Sequence, residues 1–114
     1  MVFDFNRLQD VTGGDAEFEA EILREFLDGL PASMDRLRHA IDSHDTNGVI
    51  QAAHALRGSA RTLGADAIGF ACLELETAAG AETLAEAPSM YQRVEVEQQR
   101  LTDTLEAYLH KRAA

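Results

Sequence analysis

Residues 46–65 read TNGVIQAAHALRGSARTLGA and contain a complete helical pattern with both of its ends. The apolar side chains recur at steps of three and four, which is the period of an amphipathic helix. Polar residues 45–47 can cap the start, and Gly64 is typical of the position just after a helix end. The pattern predicts a helix over residues 47–63. Its predicted core side consists of Val49, Ala53, Leu56, Ala60 and Leu63.

Helical patterns continue on both sides of this segment. Nineteen Ala, thirteen Leu and eleven Glu are strong helix formers, whereas Val and Ile together number only nine. Pro31 stands inside a continuous apolar pattern, which favours one kinked helix over two separate helices. We therefore expect an all-α fold, an antiparallel up-down four-helix bundle with a short extra N-terminal helix, formed by residues 1–114 as a single domain. The predicted helices are 3–10, 15–43 with a kink near Pro31, 47–63, 66–79 and 88–111.

Charge and cysteine content exclude several classes of function. The 114 residues include 20 acidic and 10 basic side chains, which give a net charge of −10. Nucleic acids and anionic membrane surfaces attract a positive field, so neither is an expected partner. The single cysteine, Cys72, cannot form an intramolecular disulfide and is expected to be a small buried hydrophobe. We expect a cytoplasmic, monomeric protein.

His54 is predicted to face away from the core residues of the 47–63 helix. On a helical wheel it points roughly 150° from the centre of the apolar side. Gln51, Arg57, Gly58 and Arg61 share its face, at offsets of one and two turns. The imidazole is therefore expected to be exposed, with two guanidinium groups beside it.

Two further features of this face suit a phosphoryl group at His54. Residues 46–65 contain no Asp or Glu, so the local field should be positive or neutral on an acidic chain. Gly58 lies one turn from His54, where a side chain would obstruct a partner that approaches the imidazole. A glycine inside a helix costs about 1 kcal/mol relative to alanine, so we expect this one to have a function. Glu74 and Glu76 on the next helix are expected to be solvated.

Residues 54–65, HALRGSARTLGA, resemble the signature of histidine phosphotransfer (HPt) domains, H-x-L-K-G-S-x-x-x-L-G-A. Residues 72–76, CLELE, are similar to the C-x-x-L-E pattern on the next helix of that family. The resemblance implies a four-helix bundle that accepts a phosphoryl group from one receiver-domain aspartate and passes it to another. It makes His54 the phosphorylated residue and aligns Gly58 with the family glycine, while Arg57 stands where lysine is most common. The absence of histidine from residues 66–87 favours a relay domain over a chemotaxis-kinase domain.

The expected chemistry needs no ATP or metal site of its own. Neutral His54 would be the nucleophile, and Arg57 and Arg61 would screen the phosphoryl oxygens. The His54 face has no carboxylate cluster for a metal and no glycine-rich loop for ATP, so the chain is not expected to be an enzyme and needs no cofactor. Mg²⁺ is expected on the partner, a receiver domain of a response regulator or hybrid histidine kinase. Nε2 is favoured as the phosphorylated atom, but the residues leave this choice open.

Docking contacts are harder to predict than the nucleophile. Gln51 is a candidate to hydrogen-bond the imidazole or the phosphate, and Ile50 is expected to lie on the outward side, about 40° from His54. Weaker docking candidates are Leu23, Leu27, Phe3, Phe5 and Leu8.

Two alternative functions compete with the relay. A bundle that binds a di-metal centre would need Glu-x-x-His on two helices, whereas the chain offers Glu106-x-x-x-His110 and Asp35-x-x-x-His39. An HPt-like bundle could also bind a receiver or kinase as an interaction module without carrying phosphate. The sequence leaves this second alternative open.

Overall fold

Five α-helices follow one another in the computed structural model, which describes residues 1–113. A short 3₁₀ turn, Leu84–Glu86, precedes the last helix, and the described residues contain no strand. The ends of each helix lie within two residues of the predicted ends. No helix in residues 1–113 has the length and apolar content needed to cross a membrane. The helices are α1 (Phe5–Thr12), α2 (Ala16–Asp42), α3 (Thr46–Leu63), α4 (Asp66–Gly80) and α5 (Ala87–Ala113).

Aspartate side chains cap the starts of three helices. The carboxylate of Asp45 accepts a hydrogen bond from the Gly48 backbone N–H at 2.9 Å, which selects one of the three capping residues left open by the sequence. Asp4 and Asp15 accept backbone N–H groups in the same way at the starts of α1 and α2. Each cap satisfies amide groups that have no partner inside the helix. These caps fix where the chain turns into each helix.

The four long helices pack into the predicted bundle. Each packs against the next in sequence, and α5 also packs against α2, which closes the ring. All five predicted core residues of α3 are buried. Cys72 is buried on α4 as expected, and its burial raises the pKa of the thiol to about 12. The largest fully buried side chains are Leu8, Leu23, Leu30, Leu37, Ile68, Leu75, Leu101 and Leu105.

Helix α2 continues through Pro31 as one helix, so the alternative of two separate helices is wrong. Before Pro31 the apolar spacing predicts a buried side formed by Phe18, Ile22, Phe26 and Leu30. Leu30 is buried, but Leu23 is also fully buried and Phe18 is 43% exposed. A polar contact explains the difference, because Glu19 is buried and its carboxylate accepts a hydrogen bond from the Tyr108 hydroxyl of α5. A hydrophobic pattern cannot reveal an inward-facing carboxylate.

The corner between α3 and α4 depends on Gly64. Its φ of 109° is left-handed, and the Ala65 N–H donates to the Ala60 carbonyl at 2.7 Å to end α3. The Gly64 carbonyl also accepts the Asp4 N–H at 2.7 Å. A Cβ at position 64 would lie 2.5 Å from the Asp4 carbonyl oxygen. Glycine is therefore required both by the turn and by the close approach of the N-terminal segment.

The N-terminal segment is part of the core and braces this corner. Phe3 and Leu8 are buried, and the Arg7 guanidinium pairs with Asp66 at the start of α4. The hydrogen bond from Arg7 lowers the pKa of the Asp66 carboxyl. Phe3, Leu8 and Leu23 are core residues, so their proposed docking role is wrong.

We expect Gly64→Ala to lower the free energy of unfolding by about 2–4 kcal/mol, because it combines a left-handed φ with a clash against backbone. Gly58→Ala inside α3 is the matched control, since nothing lies within 4 Å of its added Cβ. That control should raise the free energy of unfolding by up to about 1 kcal/mol. Urea denaturation followed by circular dichroism measures both. Equal losses in the two variants would contradict this account of the corner.

Candidate functional site

His54 projects from the middle of α3 on the side away from the core. Its side chain is 64% exposed, as the helical wheel predicts. The residues one position before it and two after it, Ala53 and Leu56, are buried and fix the orientation of the helix. The packed interior therefore holds the imidazole outward without enclosing it.

A carboxylate from α4 contacts the histidine from the side. Glu76 Oε1 lies 2.9 Å from His54 Nδ1, and Glu76 Oε2 accepts a hydrogen bond from Arg57 Nε at 2.9 Å. Arg57 Nη2 lies 3.0 Å from the same His54 Nδ1. The side chains of Glu76 and Arg57 are 18% and 19% exposed, so this contact is largely shielded from water. The three residues form a compact group that we call the His–Arg–Glu triad.

The triad selects one tautomer of the imidazole. Nδ1 can either donate a hydrogen to Glu76 or accept one from Arg57 through its lone pair, but it cannot do both. An unprotonated Nδ1 would place its lone pair against an ionised carboxylate oxygen at 2.9 Å, whereas a protonated Nδ1 would turn its hydrogen toward Arg57 Nη2 at 3.0 Å. The carboxylate contact outweighs the arginine contact, because the carboxylate can only accept hydrogen bonds while Arg57 already donates to Glu76 through Nε. We infer that Nδ1 carries the hydrogen and donates it to Glu76. The lone pair of the neutral ring is then on Nε2.

Hydrogen bonds keep the Glu76 carboxyl in its ionised form. Burial alone would raise the pKa of the Glu76 carboxyl, but the hydrogen bonds from Arg57 and His54 outweigh it. The pKa of this carboxyl therefore lies below its ordinary value of 4.5. At neutral pH the group is an anion that can only accept hydrogen bonds.

The expectation that Glu76 is solvated was wrong. Its carboxylate also changes the predicted field, because it neutralises Arg57 next to an α3 segment that has no acidic residue of its own. The sequence does contain a signal for this residue. Glu76 follows Cys72 by four residues and directly follows Leu75, which places it at the edge of the buried side of α4. Glu74, two residues earlier, is exposed and pairs with Arg93.

The remaining predicted site residues occupy different positions around the triad. Gly58 is exposed and has open space above it, as expected. Arg61 is exposed two turns from His54, with its stem lying across Gly69 of α4. Gln51 is exposed, and within residues 1–113 it makes no hydrogen bond with the imidazole. Ile50 is half-buried and packs against the core, so it offers less apolar surface than the helical wheel predicts.

Metal ligands do not gather at this site. In the part of the chain that the structure describes, no three His, Cys, Asp or Glu side chains form a group that could hold a metal ion. The triad supplies one imidazole and one carboxylate, and that carboxylate is already occupied by Arg57.

The triad lies within a segment that matches a known protein family. The family model of the Hpt domain matches residues 21–111, which include the whole triad. The chain belongs to the Hpt domain family. The phosphorelay intermediate protein rdeA of Dictyostelium discoideum is 24% identical over 95 residues, covering 83% of this Hpt domain. The chain spans only 37% of the length of that relative.

Solved structures of the same fold superpose closely on this Hpt domain. Histidine-containing phosphotransfer protein B (HptB) from Pseudomonas aeruginosa PAO1 gives a TM-score of 0.90 at 20% identity, with 96% of each chain covered. The HPT domain of the Hpt sensor hybrid histidine kinase from Shewanella gives a TM-score of 0.80 at 17% identity, covering 96% of this chain and 95% of that one. Both likenesses show the four-helix bundle fold.

We expect Glu76→Gln to weaken the preference of His54 for the Nδ1–H tautomer, because a neutral amide can donate to Nδ1 as well as accept from it. Nitrogen NMR of the imidazole measures the tautomer directly. Glu74→Gln is the matched control on the same helix and should leave the spectrum of His54 unchanged. An Nε2–H tautomer in the unmodified protein would contradict the assignment.

The stabilisation from Glu76 should depend on pH in a defined direction. A carboxyl whose pKa is lower in the folded state stabilises the fold above its unfolded pKa, near 4.5. We expect the unmodified protein to exceed Glu76→Gln by about 1–2 kcal/mol in free energy of unfolding above pH 5. This difference should shrink as the pH falls through the lowered folded pKa. Urea titrations from pH 3 to 8 measure it, and a difference that grows on acidification would refute the expectation.

Proposed function

We propose that this Hpt domain is a phosphorelay intermediate. His54 would accept a phosphoryl group from the aspartate of one receiver domain and pass it to the aspartate of another. The contact between His54 Nδ1 and Glu76 carries this proposal, because it directs the lone pair of an exposed imidazole to Nε2. Family membership supports the same function.

The proposed transfer needs no proton movement on this domain. The Nε2 lone pair forms a bond to phosphorus while the bond between phosphorus and the aspartyl oxygen breaks. The aspartate leaves as a carboxylate with the electron pair of that bond. The product is a phosphoimidazolium that keeps its hydrogen on Nδ1. Attack by the carboxylate of a second receiver reverses these changes and restores the neutral ring.

The triad suits both sides of this reaction. In the free domain, Glu76 fixes the tautomer in which Nε2 is the nucleophile. After transfer, the positive charge on the ring lies next to the Glu76 carboxylate, which stabilises it. Because Arg57 holds the other carboxylate oxygen, Glu76 stays in place through both states. Phosphoryl transfer depends mainly on positioning and electrostatics, and these residues supply both.

The partners of the proposed reaction supply what this domain does not. Receiver domains of response regulators or hybrid histidine kinases would bring the aspartate and the Mg²⁺. The domain would act as a phosphotransfer intermediate without its own ATP site. A monomeric state and a cytoplasmic location complete the proposal, and both rest on the sequence alone.

Replacement of His54 tests the function directly. After incubation with a phosphorylated receiver, the unmodified domain should gain phosphate that is labile in acid and stable in alkali, and His54→Gln should gain none. His39→Gln, which changes an exposed histidine on α2, is the control and should be phosphorylated normally. Radiolabel retained on the domain after acid and alkali treatment measures the result. Tight receiver binding by the unmodified domain without any transfer would favour the interaction module instead.

A bulky side chain at position 58 should slow the transfer without unfolding the domain. Gly58→Leu places its side chain in the open space one turn from His54, so we expect a transfer rate at least about tenfold lower. Gly58→Ala should have a much smaller effect, and Ala107→Leu, on the exposed side of α5, should have none. Circular dichroism should report unchanged helix content in all three. Normal transfer by Gly58→Leu would show that the partner does not approach across this position.

A further inference from the structure

The start of α4 is held by contacts from a distant part of the chain. Within residues 1–113, aspartate side chains cap the starts of α1, α2 and α3, but no side chain caps the start of α4. The N-terminal segment takes over this role, because the Met1 carbonyl accepts a hydrogen bond from the Ala67 N–H at 3.1 Å. Free amide groups at a helix start need such partners. The first turn of α4 therefore depends on residues outside the helix.

Arg7 joins the end of α3 to the start of α4. Its Nη1 donates to Asp66 Oδ1 at 2.5 Å, and its Nη2 donates to Asp66 Oδ2 at 3.2 Å. Nη1 also donates to the Arg61 carbonyl in the last turn of α3, at 3.1 Å. Exposed ion pairs contribute little to stability, but these two side chains are only 37% and 26% exposed and share two parallel hydrogen bonds. The guanidinium of Arg7 thus holds both helices at once.

The segment that carries Arg7 is itself anchored on two sides. We call residues 1–7 the N-terminal strap. The Asp4 N–H donates to the Gly64 carbonyl at 2.7 Å, which fixes the strap to the corner between α3 and α4. The Phe5 ring lies against Tyr108 of α5, with ring centroids 4.6 Å apart. The strap therefore connects the corner to a helix that does not form it.

The position of Glu76 depends on the position of α4. Glu76 follows Asp66 by ten residues on one continuous helix, about 15 Å along its axis. A hydrogen bond weakens steeply outside a narrow range of distance and angle. A movement of α4 by about 1 Å relative to α3 would loosen the 2.9 Å contact between Glu76 and His54 Nδ1. The triad thus requires α4 to be held firmly.

The core packing of α4 gives a reason for an additional anchor. Five of its seven buried residues are small, and small side chains form shallow ridges that interlock weakly with a neighbouring helix. The two larger buried residues are Ile68 and Leu75. The five small ones are Gly69, Ala71, Cys72, Ala78 and Ala79.

We propose that the N-terminal strap holds Glu76 against His54 by fixing the start of α4, and that Arg7 is the positioning residue. This inference rests on the proposed function and names an element that controls it. Release of the strap would loosen the triad, let the imidazole hydrogen move to Nε2 and slow phosphoryl transfer. His54 itself would stay exposed. The strap is thereby a control point for the relay outside the reacting groups.

The tautomer of His54 in the unphosphorylated domain tests this proposal without a receiver. Arg7→Ala should shift the nitrogen NMR signals of His54 toward the Nε2–H form and slow transfer from a phosphorylated receiver about fivefold. Arg7→Lys keeps the charge opposite Asp66 and should recover most of both effects. Arg93→Ala is the matched control, because it also breaks an ion pair between α4 and another helix, but Arg93 is 70% exposed. It should change neither readout.

A second variant tests whether the two partners act as a unit. Asp66→Asn removes the charge from the other side of the pair and should shift the tautomer in the same direction as Arg7→Ala. The double variant should show no larger shift than either single variant. Circular dichroism confirms that the helix content is retained. Where Arg7→Ala loses helix content, Asp66→Asn decides the question by the same readout.

The outcomes separate this inference from the proposed function. An unchanged tautomer in folded Arg7→Ala, or an equal shift in Arg93→Ala, overturns the role of the strap, while normal transfer to His54 leaves the relay intact. A tautomer that depends on Arg7, in a domain that accepts no phosphate from any receiver, supports the strap and overturns the relay.

Discussion

The hydrogen bond between His54 Nδ1 and Glu76, at 2.9 Å, joins two helices and determines what the exposed ring can do. An isolated imidazole on a helix surface can place its hydrogen on either nitrogen. Here an ionised carboxylate accepts from one nitrogen, and Arg57 occupies the other oxygen of the same carboxylate. The ring is thus exposed at Nε2 and constrained at Nδ1. Solvent reaches the ring at Nε2, while the contact with Glu76 fixes the tautomer at Nδ1.

This arrangement requires α3 and α4 to keep a fixed register, since His54 and Glu76 are 22 positions apart in sequence. The corner at Gly64 sets that register. Its left-handed turn ends α3, and the Asp4 backbone packs against it at a distance that no side chain would permit. The pair between Arg7 and Asp66 fixes the start of α4 from the same segment. The N-terminal helix therefore contributes to the site without contacting His54.

Periodicity predicted the helices, the outward direction of His54 and the open position of Gly58, because each depends on the local period of one helix. It failed where a residue's environment depends on a second helix. Glu76 was predicted to be solvated because its partners are on α3, and nothing in the pattern around Glu19 indicated its buried contact with Tyr108 of α5. Helical-wheel angles also overestimated the exposure of Ile50, which packs against the core. Polar contacts between helices are the part of this fold that one sequence does not reveal.

The identity of the phosphorylated nitrogen tests the central claim most directly. The measurement is phosphorus–nitrogen coupling by NMR, on domain labelled with ¹⁵N-histidine and phosphorylated by a receiver. A constrained Nδ1 predicts that phosphorus couples to Nε2 of His54 while Nδ1 keeps its hydrogen. Coupling of phosphorus to Nδ1 would contradict the role assigned to Glu76.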